Sequence, residues 1–419
     1  MAAKGLKPPD RNFWLGVYNG ILMNGAEAFF HSSLVLAPFL ATLGAPAFVI
    51  GFIPALRVGA WFLPQLFVAS RLAHEPFKLP WYRRMSTVRV IAYILMVSAI
   101  FAFRDNHVLI MFVVLAMIAV ISIAGGISGI PFADVTAKVV PHYRLGTFWA
   151  LRNVIGGLLA LTAGMLLRTI LASDIAFPLN FALIFGIGAS LAAVAYLAFS
   201  LMREPAGKPA VKEPFIKMVG RIPGILKTDH SFRRYMRVRF LALLAVLADP
   251  FYAVYALRAL EAPATALGLF VILATSASIT ANLVFRRPAN EGKNVSVLQV
   301  SIALLMLASV SAMLLPTWEA FTIVFMLSAA GQAGMGIAAW NLLYAVSPED
   351  RRPLYVGTAN SLLSLPSFAP IVAGLFIDII GYRSMFLLAA LLATSALAFA
   401  FRFTELRQLD LRALHGGSS

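Results

Sequence analysis

The stretch Phe13–Leu43, FWLGVYNGILMNGAEAFFHSSLVLAPFLATL, decides how the rest of the chain is read. It holds one carboxylate, Glu27, and one imidazole, His31, among residues that are otherwise apolar, small or uncharged. A helix rises about 1.5 Å per residue, so the stretch is longer than the roughly 20 residues that cross a bilayer core. Asn24, Glu27 and His31 fall at i, i+3 and i+7 and share one helical face. A carboxylate and an imidazole inside such a run are costly unless they are paired or at work.

Composition extends that reading to the whole chain. Of 419 residues, 60% are hydrophobic and 12% charged, against about 25% charged in ordinary soluble domains. The mean hydropathy is +0.85. The expectation is an all-α integral membrane protein, since the apolar runs do not alternate as membrane strands do. With no cysteine, there is no disulfide framework or thiol chemistry. The basic N-terminus leads into the first run without a clear cleavage site, so that run reads as an uncleaved span. The closing HGGSS is set aside.

Twelve apolar stretches are long enough to span: 13–43, 46–70, 85–103, 108–133, 148–171, 177–201, 236–258, 264–285, 296–315, 320–346, 354–380 and 384–404. They divide the chain into an N-terminal bundle over 1–201, a linker over 202–235 and a C-terminal bundle over 236–419. The loops on the terminal side carry 29 Lys and Arg, against 4 on the opposite side. That bias places both termini in the cytoplasm, across the cell (inner) membrane. It also explains the formal charge of +16 without nucleic acid, because basic loops face anionic lipid. In the linker, Phe215, Met218, Val219, Ile222 and Leu226 recur at helical spacing beside Lys217, Arg221 and Lys227. This pattern fits a surface helix, although Pro223 leaves a solvated linker open as the alternative.

The halves repeat. Gly129, Asp134, Pro141, Arg144 and Asn153 match Gly336, Asn341, Pro348, Arg351 and Asn360 at an offset of 207. Ala45-Pro46-Ala47 and Gly51 match Ala262-Pro263-Ala264 and Gly268 at 217. Parallel six-helix halves are a secondary-transporter plan, with the substrate site at mid-depth between them. Twelve spans, the basic linker and this repeat resemble the major facilitator superfamily over essentially the whole chain. The runs NFWLGVYNG, SFRRYMRVRF, ADPFYAVYALRAL and APIVAGLFIDIIGYRSMF are similar to bacterial members. After the second span the superfamily's acidic and glycine-bearing loop is replaced by SRLAHEPFKLPWYRRM, which keeps only the basic cluster at Arg83 and Arg84. The resemblance implies that spans 1, 4, 7 and 10 line the path.

The in-membrane polar groups are therefore the site candidates: Asn24, Glu27, His31, Arg57, Trp61, Asp249, Tyr252, Gln332 and Trp340. Glu27 and Asp249 lie about 14 and 13 residues along their spans, at similar depth. Glu27 is expected to load and release a proton beside Arg57, or to form a static ion pair with it. Asp249 precedes Pro250, where a kink frees backbone groups. Asp134, Arg144 and Arg152, with Asn341, Arg351 and Asn360, are candidates for latching the cytoplasmic ends. Gly125, Gly126 and Gly129 are expected to let helices approach closely. Aromatics near mid-depth (Phe29, Phe30, Trp61, Tyr252, Tyr255 and Trp340) point to export of an amphipathic solute, and Arg57 to uptake of an anionic metabolite instead.

The expected function is thus proton-coupled secondary transport of a small organic solute by alternating access, by a monomer without cofactor or metal. No Gly-x-x-x-x-Gly-Lys-Ser/Thr loop is present for a primary pump. No His-Glu-x-x-His, Gly-x-Ser-x-Gly or paired-aspartate motif is present for an enzyme. A transport-inactive sensor or lipid-handling protein of the same fold is the remaining alternative.

Overall fold

A computed structural model describes residues 11–72, 75–141, 144–207, 215–348 and 352–402. Every described element is helical. Among the described residues, nine helices are long and apolar enough to cross a membrane, from Leu79–Ala102 to the merged Leu354–Phe401. Two further expected spans are present in pieces, over 11–42 and 47–72, and Leu354–Phe401 turns back at Gly381. Gly381 has φ 78°, a left-handed conformation that a Cβ would disfavour. The set is compatible with twelve crossings. The outward faces of the long helices carry exposed Ile, Leu, Val and Phe, as lipid contact requires.

The breaks coincide with the polar residues. The first span runs as a helix from Arg11 to Phe29, then opens into a π turn at Ser32–Leu36 before Ala37–Thr42. Pro38 lacks the N–H that would bond the Leu34 carbonyl, so the regular ladder cannot pass through this point. His31 caps the turn, its Nδ1 accepting from the Leu34 N–H at 3.3 Å. The second span has the same device: Pro54 precedes a π turn at Ala55–Gly59 that carries Arg57. In the seventh span, a 3₁₀ turn at Val246–Ala248 ends at Asp249, and Pro250 opens the next helix. The continuous runs expected at 13–43 and 46–70 are corrected to interrupted ones.

The seventh span begins at His230, capped by Asp229, whose Oδ1 accepts from the Phe232 N–H at 2.9 Å. Before it, Phe215–Thr228 forms the helix read from the linker pattern, and Pro223 lies within it. That helix meets the ends of the second, seventh and eleventh spans, so it touches both halves. The end of the molecule carrying this segment is called the linker end below, and the opposite end the far end.

The halves meet mainly toward the far end. The backbones of the second and eleventh spans touch where Gly51 faces Pro370 and Gly374 faces Ala47, with no room for a side chain between them. Gly268 abuts Arg168 in the same way on the other flank. Arg258 donates to the carbonyls of Ala41 at 2.7 Å and Ala45 at 3.2 Å. Residues 34–41 and 250–256, the far segments of the first and seventh spans, are buried throughout.

Candidate functional site

Between the halves lies a cavity of about 690 Å³. Asn24, Glu27 and His31 line it from the first span, Arg57 from the second, Asp249 from the seventh and Gln332 from the tenth. Thus six of the nine sequence candidates share one wall system. The packed far segments close the cavity on that side, and Asn153, Asn282 and Ala333 continue it toward the linker end.

Glu27 and Arg57 form an ion pair through Oε2 and Nη2. The Arg57 side chain is 17% exposed and that of Glu27 41%, so the acid reaches cavity solvent while its partner sits behind it. The π turn that carries Arg57 presents it to the first span's helix just before the break at His31. Because the His31 Nδ1 accepts a backbone hydrogen bond, the neutral ring carries its proton on Nε2.

Asp249 has a different environment. Ser33 donates to its Oδ2, while Ser328 and Gln332 donate to Oδ1 at 2.6 and 3.1 Å. Gln332 also donates to the Ser328 hydroxyl at 3.0 Å. One carboxylate therefore ties the first, seventh and tenth spans across the boundary between the halves. Ser33 and Ser328 were not among the sequence candidates. A serine in an apolar run carries little signal by itself, because it can satisfy its hydroxyl on its own helix.

The aromatic candidates lie elsewhere. Tyr252 is buried in the second half, its hydroxyl 2.9 Å from that of Ser309. Phe29, Phe30 and Tyr255 are also core residues, with Phe30 stacked on Phe185. Trp340 is 44% exposed and packs beside Tyr344. Trp61 lines a second chamber of about 370 Å³ inside the first half, which shares only Glu27 and Arg57 with the central cavity.

Of the proposed latch residues, Asp134, Arg144, Arg152 and Asn341 pack within their own halves. Asp134 pairs with Lys78 and Lys138, each at 2.6 Å, and Lys138 with Glu204 at 2.8 Å. The Arg144 guanidinium lies 3.9 Å from the Phe13 ring centroid. Arg152 is buried and donates to the carbonyl of Gly16 and, at 3.1 Å, to the side chain of Asn19. Asn341 donates to Asn294 at 2.8 Å. Asn360 lies on the helix Arg352–Leu363. Arg351 falls outside the described residues, as do the HGGSS tail and the first ten residues. Among the described residues, no group of three or more His, Cys, Asp and Glu is placed to hold a metal ion.

Solved transporters share this fold. A mutant form of the nucleoside transporter NupG superposes with a TM-score of 0.71 at 13% identity, covering 94% of this chain and 99% of that one. A POT family transporter in complex with 5-aminolevulinic acid gives 0.72 at 11% identity, over 98% and 99%. This chain has the major facilitator fold. The human organic anion transporter MFSD10 (TETRAN) gives 0.65 at 16% identity, over 94% and 100%. No family model and no curated protein matches the sequence. The central cavity lies between the two halves of the fold.

Proposed function

We propose that this chain is a secondary transporter that moves a small polar solute by alternating access, with Glu27 as its proton carrier. The observation that carries the reading is the Glu27–Arg57 pair, set at mid-depth yet open to the cavity between the halves. Protonating Glu27 removes the charge that holds Arg57 and frees that guanidinium for a substrate. Deprotonation restores the pair and expels the competitor. The reading places the protein in the cytoplasmic membrane with both termini inside, from the bias of basic loops. A single chain encloses the whole cavity, so a monomer suffices.

The lining favours a polar solute over an amphipathic one. Asn24, His31, Asn153, Thr275, Ser278 and Gln332 offer hydrogen bonds there, and Phe325 supplies the aromatic contact. Transporters that share the fold include ones named for nucleosides, peptides and organic anions.

The test is transport in proteoliposomes across a solute panel first selected by thermal shift. The wild type accumulates its solute under a pH gradient, and Glu27→Gln loses that accumulation while solute exchange persists. Gradient-driven accumulation unchanged in Glu27→Gln removes Glu27 from the mechanism.

A further inference from the structure

The chamber inside the first half is lined by three arginines: Arg57, Arg89 and Arg152. Only one carboxylate, Glu27, lines it with them, and that acid is taken by Arg57. Among the described residues, no carboxylate pairs with Arg89 or Arg152. Arg152 is satisfied by neutral groups of the first span and sits 5.1–5.2 Å from the rings of Phe132, Phe148 and Trp149. Arg89 lies 4.4 Å from the Tyr196 ring centroid, and its buried Nε has no hydrogen-bond partner. Tyr196 is 3% exposed and lines the chamber, with its buried hydroxyl beside that of Tyr93.

A guanidinium taken out of water without a counter-ion is costly. Stacking on an aromatic face offsets only part of that cost. A chamber lined by three guanidinium groups and one carboxylate is electropositive, and Arg89, which no acid among the described residues neutralises, gives it a charge suited to an anion. Guanidinium forks bind planar oxyanions through paired N–H donors.

We propose that this chamber binds the oxyanion group of the solute, a carboxylate or a phosphate, with Arg89 as its principal contact and Tyr196 as a second donor. Trp61, Phe132 and Met23 supply apolar surface for the attached organic body. The binding site stands on its own geometry; only its role in coupling rests on the transporter reading above. In that role Glu27 is the movable counter-ion. A proton from solvent binds its carboxylate, the pair with Arg57 opens, and Arg57 turns to the anion. One proton and one negative charge then travel together, and a monoanion is carried without net charge.

The test is direct binding of two probes, radiolabelled benzoate and inorganic phosphate, to the purified full-length chain by equilibrium dialysis. The two probes separate an organic carboxylate from free phosphate as the preferred ligand. At least one binds the wild type, and Arg89→Gln weakens it by at least tenfold. Arg89→Lys recovers part of that loss by keeping the charge, and Tyr196→Phe weakens binding by about threefold without removing the ring. Glu27→Gln tightens binding several-fold, because Arg57 loses its competing carboxylate. The proposal is overturned if neither probe binds the wild type, or if Arg89→Gln binds as the wild type does. Since dialysis needs no transport, this outcome is independent of whether Glu27 couples a proton.

Discussion

Two carboxylates face the same central cavity under opposite constraints. Asp249 accepts hydrogen bonds from Ser33, Ser328 and Gln332, which occupy both of its oxygens. Glu27 has one strong partner and a side chain 41% exposed. An acid held by three neutral donors joins helices, whereas an acid beside one cation and open to the cavity can change partners. Asp249→Ala strands three donors, and each buried unsatisfied group costs about 1–3 kcal/mol. Thermal unfolding in detergent should show Asp249→Ala melting well below the wild type, with Asp249→Asn close to it because the serine hydroxyls can reverse their bonds. In proteoliposomes Asp249→Asn should transport more slowly at an unchanged proton-to-solute ratio. A lost pH dependence in that variant would instead make Asp249 the carrier. The sequence placed both acids at one depth, but their difference was invisible there, because it comes from serines and a glutamine on other helices. Likewise, under the 217-residue offset between the halves Asp249 falls opposite Ser32 rather than Glu27.

Helices carry the same lesson one level up. The apolar runs located the helices, since length and hydropathy decide insertion, but several helices run five or six residues past them, as at Leu79, Val139 and His230. Where the runs break was less legible, because Pro38 and Pro54 act on the turns beside them and the π turns then re-aim His31 and Arg57. Small residues show how closely such helices approach. At Gly126 an added Cβ would sit 2.9 Å from the carbonyl carbon of Trp61 and from the Pro64 ring, and backbone cannot give way there. At Gly129, one turn on, the nearest atom is the Trp61 ring edge at 3.4 Å, an ordinary contact. Both changes gain the same helix propensity, so comparing them isolates packing. Gly126→Ala should destabilise the protein by about 1–3 kcal/mol, the usual range for overpacking. Gly129→Ala should be neutral or stabilising by up to about 1 kcal/mol, the propensity gain left unopposed where no atom is crowded. Unfolding by titrated denaturant detergent, read by helical circular dichroism, checks both.

At the scale of the whole molecule, the two halves are joined at the far end and the cavity continues toward the linker end. The apolar runs made an all-helical membrane fold readable. They could not show which end is closed, because closure depends on Arg258 meeting the carbonyls of Ala41 and Ala45 and on glycine crossings between distant helices. Alternating access requires that this seal open and that the linker end close in turn. The crossing of the second and eleventh spans is the place to test it. Phe48 and Ile371 flank the contacts of Gly374 with Ala47 and of Gly51 with Pro370. The chain has no cysteine, so Phe48→Cys with Ile371→Cys introduces its only thiols. Joining them with a short bifunctional thiol reagent locks the far end shut, while a cleavable version of the same reagent allows release. The locked protein should bind solute from the linker side yet lose both accumulation and exchange in proteoliposomes. Cleaving the linker should restore them, and each single cysteine variant treated alike should transport normally. If the locked protein still exchanges solute, the far seal is a fixed joint between the halves and the cavity does not alternate.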